Sequence, residues 1–192
     1  MLTKEQLTEL SRPFSTKQIA WKPGATNRDK TKALGLAYVD PRHYQQRLDD
    51  VVGPDWSDTY EVHQGGSLFV CYLTIGGVTR SDVGEKDGKN ENTATSAKAQ
   101  AFKRACVAFG LGRYLYSFPQ KWVGYDSQYK RFTDAGLSEL MKLAEKYHSM
   151  TQTAAKLDRD PPTLSEPEPV TATGTDEGSP STTRPLDGPT VR

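Results

Sequence analysis

The sequence predicts an α+β fold in which an antiparallel three-stranded β-meander packs on a helix, giving a β-β-β-α core. Two observations predict it. Between residues 59 and 83, the β-prone runs TYEVHQ, SLFVCYLTI and VTRSDV are separated by glycine pairs at 65–66 and 76–77, and such loops are typical of tight hairpins. Farther along the chain, residues 97–116 read AKAQAFKRACVAFGLGRYLY, with small apolar residues at helical spacing.

Four elements are predicted ahead of the meander. Thr3 and Gln6 fit a capping box at the start of a short helix. QIAWKPG and GLAYV, on either side of a polar loop at residues 25–32, are typical of strands. A second helix is predicted from its N-cap, Asp40, to its glycine stop, Gly53. The expected order is therefore α-β-β-α-βββ-α, followed by a terminal helix.

The middle strand of the meander has an unusual composition. Residues 68–73, LFVCYL, are apolar at every position rather than alternating, which is typical of a strand covered on both faces. Helices of the same chain can cover one face. The other face needs more of the chain or another subunit, so we expect a homo-oligomer.

The helix after the meander, expected from about Thr93 to Phe109, has two adjacent cations in its middle. At ~100° per residue, one narrow stripe holds Ala94, Ala97, Ala101, Ala105 and Ala108, with Phe102 and Phe109 beside it. The far side holds Gln100, Lys103, Arg104 and Val107. Cations fixed on a rigid helix suit a phosphate backbone, and a merely solvated face is the simpler alternative.

Basic and aromatic side chains alternate after this helix. They are Arg113, Tyr114, Tyr116, Phe118, Lys121, Trp122, Tyr125, Tyr129, Lys130 and Arg131. This composition is typical of a surface that binds single-stranded nucleic acid, and equally of a loop packed by its own rings. Elsewhere, Trp21 and Lys22, and the loop cations Arg28, Lys30 and Lys32, add candidate groups.

The C-terminal part of the chain differs in composition. A last helix is expected from Thr133 or Asp134, with an apolar face formed by Leu137, Leu140, Met141, Ala144 and Tyr147. Residues 161–192 lack aromatic residues and carry five acidic and two basic side chains, so the rest of the chain has a charge of about +4 against +1 overall. We expect a domain at residues 1–150 and a disordered Pro/Thr/Ser/acidic tail at 151–192.

Composition also limits the partners and the compartment. No apolar run approaches the ~20 residues that span a bilayer, and no secretory signal is evident. Cys71 and Cys106 lie in apolar stretches, where reduced, buried thiols are expected. We therefore expect a cytoplasmic, nucleoid-associated protein with no membrane partner.

Enzymatic function is the main competing class. Residues 84–90, GEKDGKN, are one residue short of a phosphate loop and lack its hydroxyl. The three histidines are scattered, the two cysteines lack metal spacing, and the adjacent Asp49 and Asp50 cannot converge on one metal. We expect no catalysis, no metal and no cofactor. A nuclease and a protein-binding scaffold remain alternatives.

Several segments together resemble the Rad52 family of single-strand annealing proteins, which has bacterial and phage members. They are IAWKPG at 19–24, Y-V-D-P-R-x-Y-x-x-R-L-D-x-V-x-G-P-x-W at 38–56, SDVGE at 81–85 and, above all, SAKAQAFKRACVAFGLGRYLY at 96–116. The resemblance covers roughly residues 1–150. Its specificity lies in the combination of KRA-x-x-x-F-G with the preceding meander.

This resemblance implies a closed ring with single-stranded DNA in a positively charged outer groove and its bases exposed. The family's groove cations match Lys103 and Arg104, and a further one lies where this sequence has Arg42, beside His43. Val107 stands where eukaryotic members carry another Arg, which removes one phosphate contact.

The resemblance extends to the DNA damage response proteins of radiation-resistant bacteria. It implies ATP-independent binding of single-stranded DNA, notably at 3′ ends, and protection of those ends from nucleases, with strand annealing as the alternative. The expected DNA-binding residues are Lys103, Arg104, Arg42, Arg113, Lys22, Arg28 and Lys30.

Overall fold

Helices and antiparallel sheets form one unit in the computed structural model, which describes residues 1–86 and 93–159. The elements are α1 (Lys4–Ser11), β1 (Ile19–Thr26), β2 (Lys32–Val39), α2 (Pro41–Val52), β3 (Trp56–His63), β4 (Leu68–Ile75), β5 (Val78–Glu85), α3 (Thr93–Ala108), β6 (Trp122–Asp126), β7 (Arg131–Phe132) and α4 (Asp134–Arg159). Short 3-10 turns lie at Thr16–Gln18, Gln64–Gly66 and Arg113–Ser117. The predicted α+β class is confirmed.

The meander β3-β4-β5 has the predicted antiparallel order. Gly76 and Gly77, at φ 57 and φ 82, join β4 to β5 in the left-handed conformation that tight hairpins require and glycine adopts readily. The first connection differs from the prediction. Residues 64–67 form a longer loop there, because Gln64–Gly66 closes into a 3-10 turn.

The meander packs on α3 through a very close approach at Gly84. A Cβ atom on Gly84 would lie 2.0 Å from the Ala97 carbonyl oxygen and 2.7 Å from the Ala101 nitrogen. Ala97, Ala101 and Ala105 are buried as predicted. The predicted stripe is shorter than expected, however, because Ala94 is exposed and Ala108 only half-buried.

The two faces of β4 are not equivalent. Cys71, Leu73 and Ile75 are buried under the helices. Val70 and Tyr72, on the opposite face, are only partly buried. Among the described residues, the second face of β4 is therefore only partly covered. The outer face of β3–β5 mixes these apolar residues with polar ones, including the hydrogen-bonded pair Tyr72 and Glu61.

A second sheet has the strand order β1-β2-β6-β7. Pro23 lies in β1, at the edge of the sheet, where its missing N–H costs no ladder hydrogen bond. Sequence reasoning did not predict β6 and β7, because both strands fall in the run interpreted as a basic-aromatic surface or loop. Val123 and Phe132, from these strands, are buried with Ala33 and Leu140 in a small second core.

Helix α4 covers this second core. Leu140 and Ala144 are buried, whereas Leu137 and Met141 are 40% and 56% exposed. The predicted apolar face was therefore wrong for these two residues, because only the Leu140 side of α4 meets the sheet. The α4 backbone continues to Arg159, and residues 160–192 of the predicted tail lie outside the described residues. Among the described helices, none has the length and apolarity needed to cross a membrane.

Candidate nucleic-acid interface

A cleft of about 340 Å³ opens between β2, α3 and the 3-10 turn Arg113–Ser117. We call it the basic cleft. Its cations are Lys22, Lys103 and Arg104. The other lining residues are Gly35, Leu36, Ala37, Tyr38, Val39, Tyr44, Gln100, Leu115, Tyr116, Phe118 and Gln120. No described carboxylate is part of this lining, so the cleft presents positive charge, hydroxyls, amides and rings.

Lys103 lies deep in the basic cleft. Its Nζ atom is 3.5 Å from the Val39 carbonyl oxygen and 5.7 Å from the centre of the Tyr38 ring. Burial lowers the pKa of Lys103, and the positive charge of Lys22 lowers it further. The two ammonium groups therefore repel each other across the cleft. An anion placed between them would relieve this repulsion.

Arg104 is held from the other side. Its Nε atom lies 3.1 Å from a carboxylate oxygen of Asp82 on β5. Lys103 and Arg104 were expected to project from the back of a helix. Instead they diverge, since Lys103 leans onto β2 and Arg104 onto β5. Adjacent helix positions differ by ~100°, which places the two side chains against different elements.

The rings of the basic-aromatic run separate into two groups. Phe118 packs against Tyr147, Trp21 and Tyr114, with ring centres 4.4, 5.7 and 6.0 Å away. Burial raises the pKa of Tyr114 to about 12. These rings therefore belong to a packed part of the segment, held by Tyr114 of the same run and by rings from β1 and α4.

The second group of rings is accessible. Tyr116, which lines the basic cleft, is 70% exposed. Trp122 and Tyr129 are also exposed, and the Arg131 guanidinium lies 5.3 Å from the centre of the Tyr129 ring. Of these three exposed rings, Tyr116 is the one beside the cleft cations, so it is well placed to stack on a base.

Arg42 lies outside the basic cleft. It lines a second cleft of about 390 Å³ together with Lys98, Tyr60 and the first turns of α2 and α3. The Arg42 side chain is 87% exposed and lies 3.6 Å from Asp40. Lys98 was not singled out from the sequence, and its Nζ atom lies 4.4 Å from the centre of the Tyr60 ring.

The remaining predicted cations are dispersed. Arg113 donates hydrogen bonds to the carbonyl oxygens of Val107 and Ala108, at the end of α3. Arg28 and Lys30 are exposed on the turn between β1 and β2, and they line neither cleft. The structure thus brings together three of the seven predicted residues and distributes the other four over three places.

Tyr38, Gln120 and Lys98 were missed. Tyr38 lies within the apolar strand β2 with no charged residue directly beside it, so its position at the cleft depends on the pairing of β2 with its neighbours. Lys98 is five residues before Lys103 on α3, and its separation from the cleft cations follows from the helical period. The helical period predicts which face of α3 each side chain occupies. It does not predict which strand or helix lies against that face.

Outside the two clefts, the described cysteines and His63 have the surroundings of core or surface residues. Within the described residues, no three His, Cys, Asp or Glu side chains cluster as metal ligands would. Burial raises the pKa of Cys71 to about 11 and that of Cys106 well above its ordinary value. His63 is exposed beside Glu61.

Comparison with known proteins extends these observations. Residues 3–132 match the family described as Rad52/22 family double-strand break repair protein. The chain is 40% identical over 150 residues to the single-stranded DNA-binding protein DdrA of Deinococcus radiodurans, covering 77% of this chain and 71% of that protein. It is 42% identical over 119 residues to the protein of that name from Deinococcus deserti, covering 61% and 59%. No solved structure shows a significant match.

Proposed function

We propose that this chain, which belongs to the Rad52/22 family of double-strand break repair proteins, is a single-stranded DNA-binding protein of DNA repair that acts without ATP. The observation that carries the proposal is the basic cleft, where Lys22, Lys103 and Arg104 line one cavity free of described carboxylates. Both relatives named above carry the description single-stranded DNA-binding protein.

The chemistry of the cleft suits a DNA backbone. Burial is the main cause of the lowered pKa of Lys103, and repulsion by Lys22 adds to it. A phosphate between Lys22 and Lys103 would offset that repulsion. Arg104 is already oriented by Asp82, so it loses little side-chain entropy when it binds. Tyr116 offers its ring beside these cations, and stacking on rings tolerates any base. Such a site binds single strands with little sequence preference.

The finer proposal is that the protein binds 3′ ends and protects them from nucleases. Its support is the resemblance described above. The test is an anisotropy titration with 3′-tailed, 5′-tailed and blunt duplexes, followed by digestion with a 3′ exonuclease. We expect tighter binding and slower digestion for the 3′-tailed duplex. Equal affinity for all three would overturn single-strand binding, and equal affinity for the two tails would overturn the end preference.

We also propose that the protein has no catalytic activity of its own. The support is that the lining of the basic cleft provides cations, amides and rings but no general base paired with a nucleophile. Incubation of labelled single strands with the protein and Mg²⁺ should leave the label intact. Specific loss of label, absent with the Lys103→Gln variant, would instead indicate a nuclease. Faster pairing of complementary strands would indicate annealing.

The expected homo-oligomeric ring remains part of the proposal. Its support is apolar surface that the described residues leave uncovered, namely Val62 and Val78 on β3–β5 and Met141 on α4, which are 55%, 44% and 56% exposed. Light scattering at micromolar concentration should give a mass several times that of the 21.3 kDa chain. A monomeric mass would overturn this part of the proposal and leave DNA binding untouched.

A further inference from the structure

Two arginines from distant parts of the chain meet at the C-terminal end of α3. Arg80, on β5, donates a hydrogen bond through Nη1 to the carbonyl oxygen of Ala108. Arg113, from the 3-10 turn, donates to the same oxygen through Nη2 at 2.9 Å and also to the Val107 carbonyl oxygen. One carbonyl oxygen therefore holds two guanidinium groups side by side.

Among the described residues, no carboxylate compensates the charge of either guanidinium. Neither Arg80 nor Arg113 forms an ion pair with a described residue, in contrast to Arg104 with Asp82. Both residues are exposed. Two like charges at one oxygen repel each other, and the partial negative charge at a helix C-terminus offsets only part of that repulsion. A bound anion would offset the remainder.

The two guanidinium groups are held in place, and each has N–H donors that do not bond to α3. The Arg80 guanidinium lies 4.7 Å from the centre of the buried Phe109 ring, which holds it in place. Nη1 of Arg113 and both Nε and Nη2 of Arg80 are not used in the bonds to α3. The planar guanidinium presents such donors in a geometry that matches phosphate oxygens.

The pair also continues the basic cleft along α3. Arg104 and Ala108 are four residues apart, which is ~6 Å along a helix. Asp82, which holds Arg104, and Arg80 are two residues apart on β5, so their side chains lie on the same face of the strand. A row of three arginines thus follows the seam between α3 and β5, starting at the cleft.

We propose that Arg80 and Arg113 form a second phosphate site, which holds the backbone of a single strand where it leaves the basic cleft. This inference rests on the proposed function of that cleft. A purely structural role, in which both arginines only cap α3, is the competing explanation. The two explanations differ in their dependence on charge, since a neutral amide donor can cap a carbonyl oxygen but cannot release counterions.

The test is the double variant Arg80→Gln/Arg113→Gln, because glutamine retains an N–H donor for the α3 carbonyls and removes the charge. Binding to a fluorescent oligothymidylate is measured over a range of salt concentrations. We expect the slope of log K against log salt to decrease by about 1.4, at ~0.7 for each lost single-strand phosphate contact. Affinity near 0.1 M salt should fall roughly 10-fold. The charge-retaining variant Arg80→Lys/Arg113→Lys should recover most of the slope.

The matched control is Lys142→Gln/Lys146→Gln, which removes two charges from an exposed stretch of α4. Equal losses in both double variants would mean that only net charge matters, which overturns the site. A lowered melting temperature with an unchanged salt slope would show capping alone and also overturn it. If Lys103→Gln weakens binding while Arg80→Gln/Arg113→Gln does not, the second site is wrong and the basic cleft stands. If the unmodified protein does not bind, the proposed function itself fails.

Discussion

The basic cleft and the turn between β1 and β2 contain the same kinds of cation in contrasting surroundings. In the cleft, Lys103 is half-buried against β2 and its pKa is lowered by burial and by Lys22. On the turn, Arg28 and Lys30 are exposed and line neither cleft. In the sequence, both are simply runs that contain several basic residues. We therefore expect DNA to bind where the fold holds cations together at an electrostatic cost that a ligand would offset, and not at the turn.

The largest expected effect comes from disturbing the packing of α3, the helix that carries Lys103 and Arg104, against β5. In Gly84→Ala, the new Cβ would overlap the backbone of α3 at Ala97 and Ala101, and backbone yields less readily than a side chain. We expect a loss near the upper end of the ~1–3 kcal/mol typical of overpacking, and loss of DNA binding as α3 shifts. Thermal unfolding and anisotropy titration measure the two effects.

Gly24→Ala is the matched control for that substitution. Its Cβ would meet mainly the side chain of Leu36, at 2.9 Å, which can move. We expect a smaller loss of stability and nearly normal binding. Normal stability of Gly84→Ala would contradict the close packing of α3 on β5 and, with it, the fixed position of Arg104.

The direct comparison of the two regions is a pair of double variants with equal change in charge. Lys22→Gln/Lys103→Gln should weaken single-strand binding on the order of 100-fold, since a hydrogen bond to a charged group contributes about 1.5 kcal/mol and 1.4 kcal/mol is tenfold. Arg28→Gln/Lys30→Gln should weaken it about 2-fold, through long-range attraction that salt screens. Salt-dependent titrations of both variants show whether DNA binding depends on the basic cleft or on net charge. Similar losses would mean that the DNA follows net charge and not the cleft.

Burying the charge of Lys103 costs stability, so removing that charge should stabilise the fold by a small amount. Lys103→Met keeps the length of the side chain but removes a charge that burial disfavours. We expect binding to weaken while the melting temperature rises by about 2–4 °C, the shift that ~1 kcal/mol produces in a chain of this size. A melting temperature that falls would show that Lys103 stabilises the fold through its contact with Val39.

The extra stability expected for Lys103→Met should depend on pH in a definite direction. The pKa of Lys103 is lower in the folded protein than its ordinary value of 10.5, so the unfolded chain binds more protons in the interval just below 10.5. Stability of the parent protein therefore rises with pH across this interval. The advantage of Lys103→Met should be greatest at neutral pH and shrink as pH approaches 10.5. An advantage independent of pH would contradict the electrostatic explanation.

The success of sequence reasoning differed between these regions for physical reasons. The meander and α3 are specified locally, by glycine pairs and by a helical period, and both were predicted. β6 and β7 were missed because their short aromatic runs have a composition that fits a loop as well as a strand. The strand conformation of β6 depends on pairing with β2, far away in sequence, and β7 in turn pairs with β6. The cleft was half predicted: the far side of α3 was identified, but the contacts of Lys103 with β2 and of Arg104 with β5 were not.

The smallest expected effect concerns residues 161–192, and its argument rests on charge alone. This segment carries five acidic and two basic side chains, so it opposes the approach of DNA to a domain whose own charge is about +4. A chain that ends after Arg159 should bind single strands with equal or slightly higher affinity, by about 2-fold at low salt, where screening is weakest. The gain should disappear as salt increases, which anisotropy titrations at two ionic strengths would show. An affinity that falls 10-fold or more would place part of the binding surface in the tail. It would also contradict the proposal that the cations of the basic cleft, and not exposed cations elsewhere, determine DNA binding.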